Sequence, residues 1–266
     1  MLERNFPFNQ MEKRQVDGYN YIFLPNIWVK NENLSAGATY EDCFAYMISD
    51  KAKPNYHIHP AFVTNGRVND SGILIGEDII RGNLAYKDLK SKAAGYNAEP
   101  FNIYDMSILA RLMLIEFGGS NIQKSISGTD GKMGATYHGI KNVWGGEDLG
   151  QWYYGLTTED ETIHILNSRM NGAMVDTKIT PVGSGYPTAL LTAKTLNYDL
   201  GDVFLAKTQS DNAVDGILSD YQCLEVESAF NSGYVSNNAL CGAFYLCNDK
   251  IDKSIKNIGL RLRKAV

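Results

Sequence analysis

The side chains best suited to acid–base or metal chemistry near neutral pH are four histidines, His57, His59, His138 and His164. His57 and His59, in YHIHPAF, would leave the same face of an extended strand, as two metal ligands do, with Pro60 keeping the chain extended. A zinc or iron site needs a third His, Cys or carboxylate, and no obvious one stands nearby. The serine between glycines in GSGYP (183–187) lacks the strand-turn-helix setting of a nucleophile elbow and reads as a turn. GxGxxG, P-loop and HExxH patterns do not occur, which removes the local signatures of nucleotide chemistry and zinc proteolysis. Glu147, Asp148, Glu159, Asp160 and Glu161 would make a glycosidase pair only if folding brought two of them to the required separation; solvated acidic loops are the simpler reading. GTDGK (128–132) and NDKID (248–252) offer loop oxygens without the spaced acidic pattern of a calcium loop. The expectation is a non-enzymatic chain with no catalytic residue, no metal and no cofactor.

Cysteine chemistry points the same way. Cys43, Cys223, Cys241 and Cys247 contain no CxxC pair, and they read as small buried apolar residues. The N-terminus MLERNFPFNQMEKRQ has no apolar signal-peptide core, and no stretch approaches the roughly 20 apolar residues of a membrane span. A chain made, and at first kept, in a cytoplasm is expected, with no membrane insertion. The net charge of −5 offers no broad basic field for phosphates, so nucleic acid is not an expected partner. In the basic cluster Arg261, Arg263 and Lys264, the two arginines stand two apart, and the cluster reads as the wet face of a final strand. The 25 glycines and 16 tyrosines are the unusual part of the composition: tight turns, and rigid amphipathic rings of the kind recognition surfaces use.

The elements that would position these residues are short. β-rich runs occur at Tyr19–Trp28, Cys43–Ile48, Ile73–Glu77, Thr162–Leu166, Val203–Leu205, Gln222–Glu227 and Gly259–Leu262. Leu84–Ala94 reads as a helix that stops before Gly95. A second helix follows Asp105 as N-cap, through MSILARLMLIEF, with Ile108, Leu109, Leu112, Met113, Ile115 and Phe117 covering most of its circumference; such a helix must be buried. After Gly119 helical periodicity nearly vanishes. The fold class expected is α+β, with two main helices, short strands and extensive irregular loops. Residues 1–55 form a β-rich N-terminal segment, either an attachment element or part of the main domain, and residues 56–266 form that domain.

A run of pieces supports a resemblance. YHIHPAFVTNGR (56–67), LMLIEFGGSNIQ (112–123), YHGIKNVWGG…QWYYGL (137–156), SGYPTAL (184–190), LGDVFLAKT (200–208), SDYQC (219–223), CGAFYL (241–246) and NIGLRL (257–262) follow one another in order. The chain resembles phage and prophage virion proteins with a C-type-lectin-like fold, relatives of formylglycine-generating enzymes and of the variable proteins of diversity-generating retroelements. The resemblance implies that Trp144 and Trp152 are structural, and that Gly259 allows close packing of a closing strand. Departures are visible. Asn142-Val143-Trp144 is separated from Trp152 by an enlarged turn, and Gly150 stands where the enzymes carry a tryptophan. Cys241 and Cys247 do not match their reactive cysteine pair, and neither Glu99-Pro100-Phe101 nor Asn248-Asp249 completes a calcium-lectin motif.

What the resemblance implies is a binding module on a tail or head fibre, assembled in the bacterial host cytoplasm and carried in the virion. Its partners would be other virion proteins and a glycan or protein of the host surface, and it would form a homo-oligomer, a trimer. Carried over to the loops before the last strand, the ligand surface would comprise Tyr221, Tyr234, Asn237, Asn238, Tyr245 and Asn248, rings that stack and amides that donate and accept. A structural or decoration subunit of capsid, neck or tail is the rival. An enzyme of the formylglycine-generating type is a more distant third.

Overall fold

The end of the chain lies at the middle of the molecule. The computed structural model describes residues 8–24, 27–29, 47–48, 56–58, 61–68, 74–75, 83–117, 136–144, 150–167, 172–191, 194–195, 198–199, 203–213, 221–224, 228–232, 242–256 and 258–265. The principal strands are β1 (Lys13–Val16), β2 (Tyr19–Leu24), β3 (Ala61–Val68), β4 (Gly150–Glu159), β5 (Thr162–Leu166), β6 (Met174–Asp176), β7 (Gly183–Leu190), β8 (Ala206–Ser210), β9 (Gln222–Leu224), β10 (Ser228–Asn231), β11 (Cys247–Asp249) and β12 (Ile258–Ala265). Among the described residues two α-helices accompany them, α1 (Leu89–Ala94) and α2 (Ile103–Phe117).

A 13-stranded sheet has the main path β1-β2-β3-β12-β4-β5-β6, with β10 and β11 branching from β4. β12 runs antiparallel to β3 and parallel to β4, and the short strands Asn83–Leu84 and Glu99–Pro100 also pair with it. The hairpin β1–β2 joins the same sheet through β3, so residues 13–24 share a hydrogen-bonded ladder with the C-terminal strand. β8-β7-β9 form a separate three-stranded sheet. Another small sheet pairs Ile27–Val29 with Met47–Ile48 and Tyr56–Ile58, placing His57 opposite Trp28; His59 lies outside the described residues.

The two helices cover opposite faces of the central strands. Leu89 and Ala93 of α1 pack with Trp152, Ile258, Leu260 and Leu262. α2 packs with Tyr153, Leu156, Ile163 and Ile165 on the other side. Strands covered on both faces need apolar residues at successive positions, and they lose the alternation that marks a half-exposed strand.

That burial corrects the expected fold class. Among the described residues the fold is mostly β, not an α+β domain of two main helices, short strands and irregular loops in the C-type-lectin manner: strands fill several sheets, one of them a curled half-barrel. The stretch after Gly119 looked irregular because β4 is buried at eight of its first nine positions and β12 at its first six. GSGYP (183–187) is the start of β7, not a turn, and Val203–Leu205 is a turn leading into β8. Arg261 and Arg263 do share one face of β12, but that face is dry: both are 0% exposed. Arg261 donates to Gln151 Oε1 at 3.0 Å and to the carbonyls of Lys141 and Asn142, and Arg263 pairs with Asp105 and Glu99.

Both helix starts also differ from expectation. Leu84–Ala94 divides into a strand residue, a 3-10 turn at Tyr86–Asp88, and α1. α2 begins at Ile103, and its cap is Asn102: the Asn102 Oδ1 accepts the Asp105 N–H at 3.0 Å while Asp105 Oδ2 accepts the Asn102 N–H at 3.1 Å. Asp105 is therefore the third residue of a reciprocal capping box, worth about 1 kcal/mol.

Candidate ligand-binding face

The β8-β7-β9 sheet is fixed from below by one amide. Gln222 is buried, and its Nε2 donates to the carbonyl oxygens of Phe204 at 2.8 Å and Phe244 at 3.1 Å, while its Oε1 accepts the Ala206 N–H at 3.0 Å. Three chain segments are tied through one side chain, and removing it would leave buried backbone groups unpaired at about 1–3 kcal/mol each. Gly185 lets β7 and β8 approach: a Cβ there would meet the Gln209 Cβ and the Ser210 carbonyl oxygen, each at 3.0 Å.

Alternation along β7 places Ser184 and Tyr186 on one face, and Thr188, where the register with β8 shifts, joins it through Thr208. Tyr186 meets Tyr221 edge to face, centroids 5.3 Å apart and planes at 84°. The Thr188 and Thr208 hydroxyls are 2.8 Å apart, Ser210 stands opposite Tyr186, and Cys223 stands opposite Ser184. Both tyrosines are half-buried, so each ring is held in place and still shows an edge or face to solvent. None of these side chains is charged at neutral pH. The chemistry available is stacking on rings plus hydroxyl donation and acceptance, which suits a neutral polyhydroxylated or peptide surface.

The residues nominated from sequence fall in different places. Tyr221 is on the tyrosine face. Tyr245 is 3% exposed and packed inward, and Asn248 is half-buried, its Nδ2 donating to Ser228 Oγ at 3.5 Å. Tyr234, Asn237 and Asn238 lie outside the described residues. Trp144 and Trp152 are fully buried, with the Trp152 Nε1 donating to the Leu84 carbonyl at 2.7 Å, and Gly259 pairs with Gln151 where β12 meets β4. Sequence reasoning missed Ser184, Tyr186 and Thr188; their period-two spacing was the available signal, hidden by the glycines around Ser184.

Other polar clusters are built differently. His138 sits in a tight turn closed by the Tyr137 and Ile140 backbones, at φ 44°, followed by Gly139 at φ 84°. Its Nε2 lies 2.9 and 3.0 Å from the two Glu116 carboxylate oxygens, both side chains 27% exposed, and Phe8 stacks on the imidazole. Burial, then the Glu116 charge, pushes the Tyr137 hydroxyl well above its usual range. This cluster fastens the N-terminal turn to the end of α2. On β5 and β6, His164 stands 4.0 Å from Asp176, whose carboxyl is held below the ordinary range by Lys178 and then by the Thr162 hydroxyl.

Size disposes of one hollow and charge pairing of another. One of about 90 Å³, lined by Lys90, Glu99, Asn102 and Tyr154, holds about three waters at ~30 Å³ each, and Lys90 already sits over the Tyr154 ring. A broad depression of about 470 Å³ is bordered by Arg263 and Lys264, whose charges are met by Glu99 and Asp17. Among the described residues, no three His, Cys, Asp or Glu side chains converge as a metal's ligands. No described helix is long and apolar enough to cross a membrane. No family model matches the chain, and no curated protein matches its sequence.

Proposed function

We propose that this chain is a non-enzymatic bacteriophage virion protein that holds a ligand of the host surface, glycan or protein, against the face centred on Tyr186 and Tyr221. The observation carrying the binding role is that face: two tyrosine rings locked edge to face at 5.3 Å, bordered by the Thr188 and Thr208 hydroxyls. Placement in a virion rests on the ordered sequence pieces alone. The mostly-β architecture replaces the lectin-like one in this reading, and the sheet supplies the rigidity that long loops were expected to need.

An oxidase of the formylglycine-generating type has little support. Such chemistry needs a thiolate, and burial, with Cys223 and Asp249 adding to it, pushes the Cys247 thiol up to about 11. The rival occupant of the tyrosine face is another virion protein, as in a decoration or neck subunit.

Whole-cell and glycan-array binding by the purified chain, compared with Tyr186→Ala and Tyr221→Ala, tests the proposal. Loss of roughly tenfold or more in affinity with unchanged far-ultraviolet dichroism is expected for each variant. Absence of any host-surface binding, together with firm co-purification with capsid or tail subunits that both variants abolish, transfers the face to the structural role. Light scattering checks the trimer.

A further inference from the structure

Cys223 and Cys247 are both thiols and stand on neighbouring strands. β9 and β11 meet in parallel: Gln222 pairs with Leu246, the Leu246 N–H donates to the Tyr221 carbonyl at 3.2 Å, and the Cys223 N–H donates to the Leu246 carbonyl at 2.9 Å. One residue further along each strand, the opposed positions are Cys223 and Cys247. Opposed residues on hydrogen-bonded strands lie about 5 Å apart at Cα, within the ~4.4–6.8 Å that a disulfide spans, and their side chains leave on the same side. β11 is also paired on its other flank, where Cys247 faces Asn231 of β10, so the two backbones are held in register from both sides. Both cysteines are only half-buried.

We infer that Cys223 and Cys247 form an oxidisable pair that closes an intrachain disulfide when the protein meets a small-molecule disulfide. In the first step one cysteine, as thiolate, attacks a sulfur of the small disulfide; that S–S bond breaks and one small thiolate leaves and is protonated. In the second, the other cysteine, as thiolate, attacks the protein sulfur of the mixed disulfide and displaces the second small thiol. One S–S bond is consumed and one formed, two protein thiols are oxidised, two small thiols are produced, and the protons pass from the cysteines to the leaving groups. The groups around Cys247 set the pace. Burial, then Cys223 on β9 and Asp249 on its own strand, hold its thiol up at about 11, while the Tyr245 hydroxyl and the Asn248 backbone N–H pull it down; Asn231 on β10 does not titrate. Closure therefore accelerates about tenfold per pH unit between neutrality and that value wherever attack by Cys247 limits it.

The test incubates the full chain with glutathione disulfide at pH 7 and pH 9, alkylates free thiols, and maps the non-reduced digest by mass spectrometry. Joined peptides carrying Cys223 and Cys247, forming faster at pH 9 and undiminished in a Cys43→Ser, Cys241→Ser variant, are expected. Cys223→Ser must stop at a glutathione adduct on Cys247. Cross-linking of Cys247 to Cys241 instead, or two stable glutathione adducts with no joined peptide, overturns the pair.

Discussion

Arg263 and Asp105 meet with Nε 3.0 Å from Oδ2, both side chains fully buried, and their contact ties the last strand to the first turn of the buried helix. Glu99, in the short strand paired with β12, takes the outer side of the same guanidinium. Asp105 also receives the Asn102 N–H, so one carboxylate completes a helix cap and neutralises a buried cation. A buried pair of this kind adds little beyond an apolar replacement, but removing one member leaves the other charged and desolvated.

Asp105→Ala is expected to lose about 3–5 kcal/mol in urea unfolding, the charge of Arg263 being left half-compensated and the cap broken. The double change Asp105→Leu, Arg263→Met should recover most of that, because the carboxylate that then loses its partner, Glu99, is 30% exposed and can be solvated. Equal destabilisation of the single and double variants would show that the cap, not the ion pair, dominates.

How much of this arrangement could be read beforehand depends on where local pattern and tertiary burial agree. α2 was legible because Ile108, Leu109, Leu112 and Met113 repeat at helical spacing and all are buried. Thr162–Leu166 was legible as β5 because only one of its faces is fully covered. β4 was not, since both faces are buried and Gly155 interrupts it. Arg261 and Arg263 had the right period, but nothing local says that Gln151 and Asp105 wait on their side of the sheet. Tyr221 was reached through resemblance, Tyr186 was hidden within an apparent turn, and the meeting of Cys223 with Cys247 depends on a non-local strand pairing.

Gly155 should tolerate no side chain. Its φ is 87°, and a Cβ would lie 2.3 Å from Leu166 Cδ1 and 2.5 Å from Cγ, so Gly155→Ala combines left-handed strain with overpacking at roughly 2–4 kcal/mol. Gly18, at φ 83° with nothing within 4 Å, isolates the backbone part; Gly18→Ala is expected to cost about 1–2 kcal/mol. Matching thermal shifts for the two would contradict the clash with Leu166.

Alkali should unfold the protein through its buried tyrosines. Burial raises Tyr21 to about 12, and Tyr86 and Tyr137 are raised for the same leading reason. Below pH 10 both folded and unfolded states keep these phenols neutral, and their contribution is constant. From pH 10 towards 12 the unfolded chain ionises them and the folded chain does not, so stability falls by up to about 1.4 kcal/mol per pH unit for each. Urea midpoints measured across that window should drop, with delayed tyrosinate absorbance appearing together with unfolding. Titration of all 16 tyrosines near pH 10 without loss of structure would refute it.

Oxidation should raise the protein's stability without remodelling the sheet. The new bond closes a loop of about 25 residues, worth about 3 kcal/mol through the unfolded chain's lost entropy, and for a protein of this size that is a rise in Tm on the order of 5–10 °C. Tyr234, Asn237 and Asn238 lie between the two cysteines in sequence, so the loop that closes carries three of the side chains nominated for ligand contact. A ligand that uses those residues should dissociate at different rates from the oxidised and the reduced protein, because the bond changes how the chain carrying them is tethered. Identical dissociation from both forms, with the Tm shift present, would confine the ligand to the Tyr186–Tyr221 face.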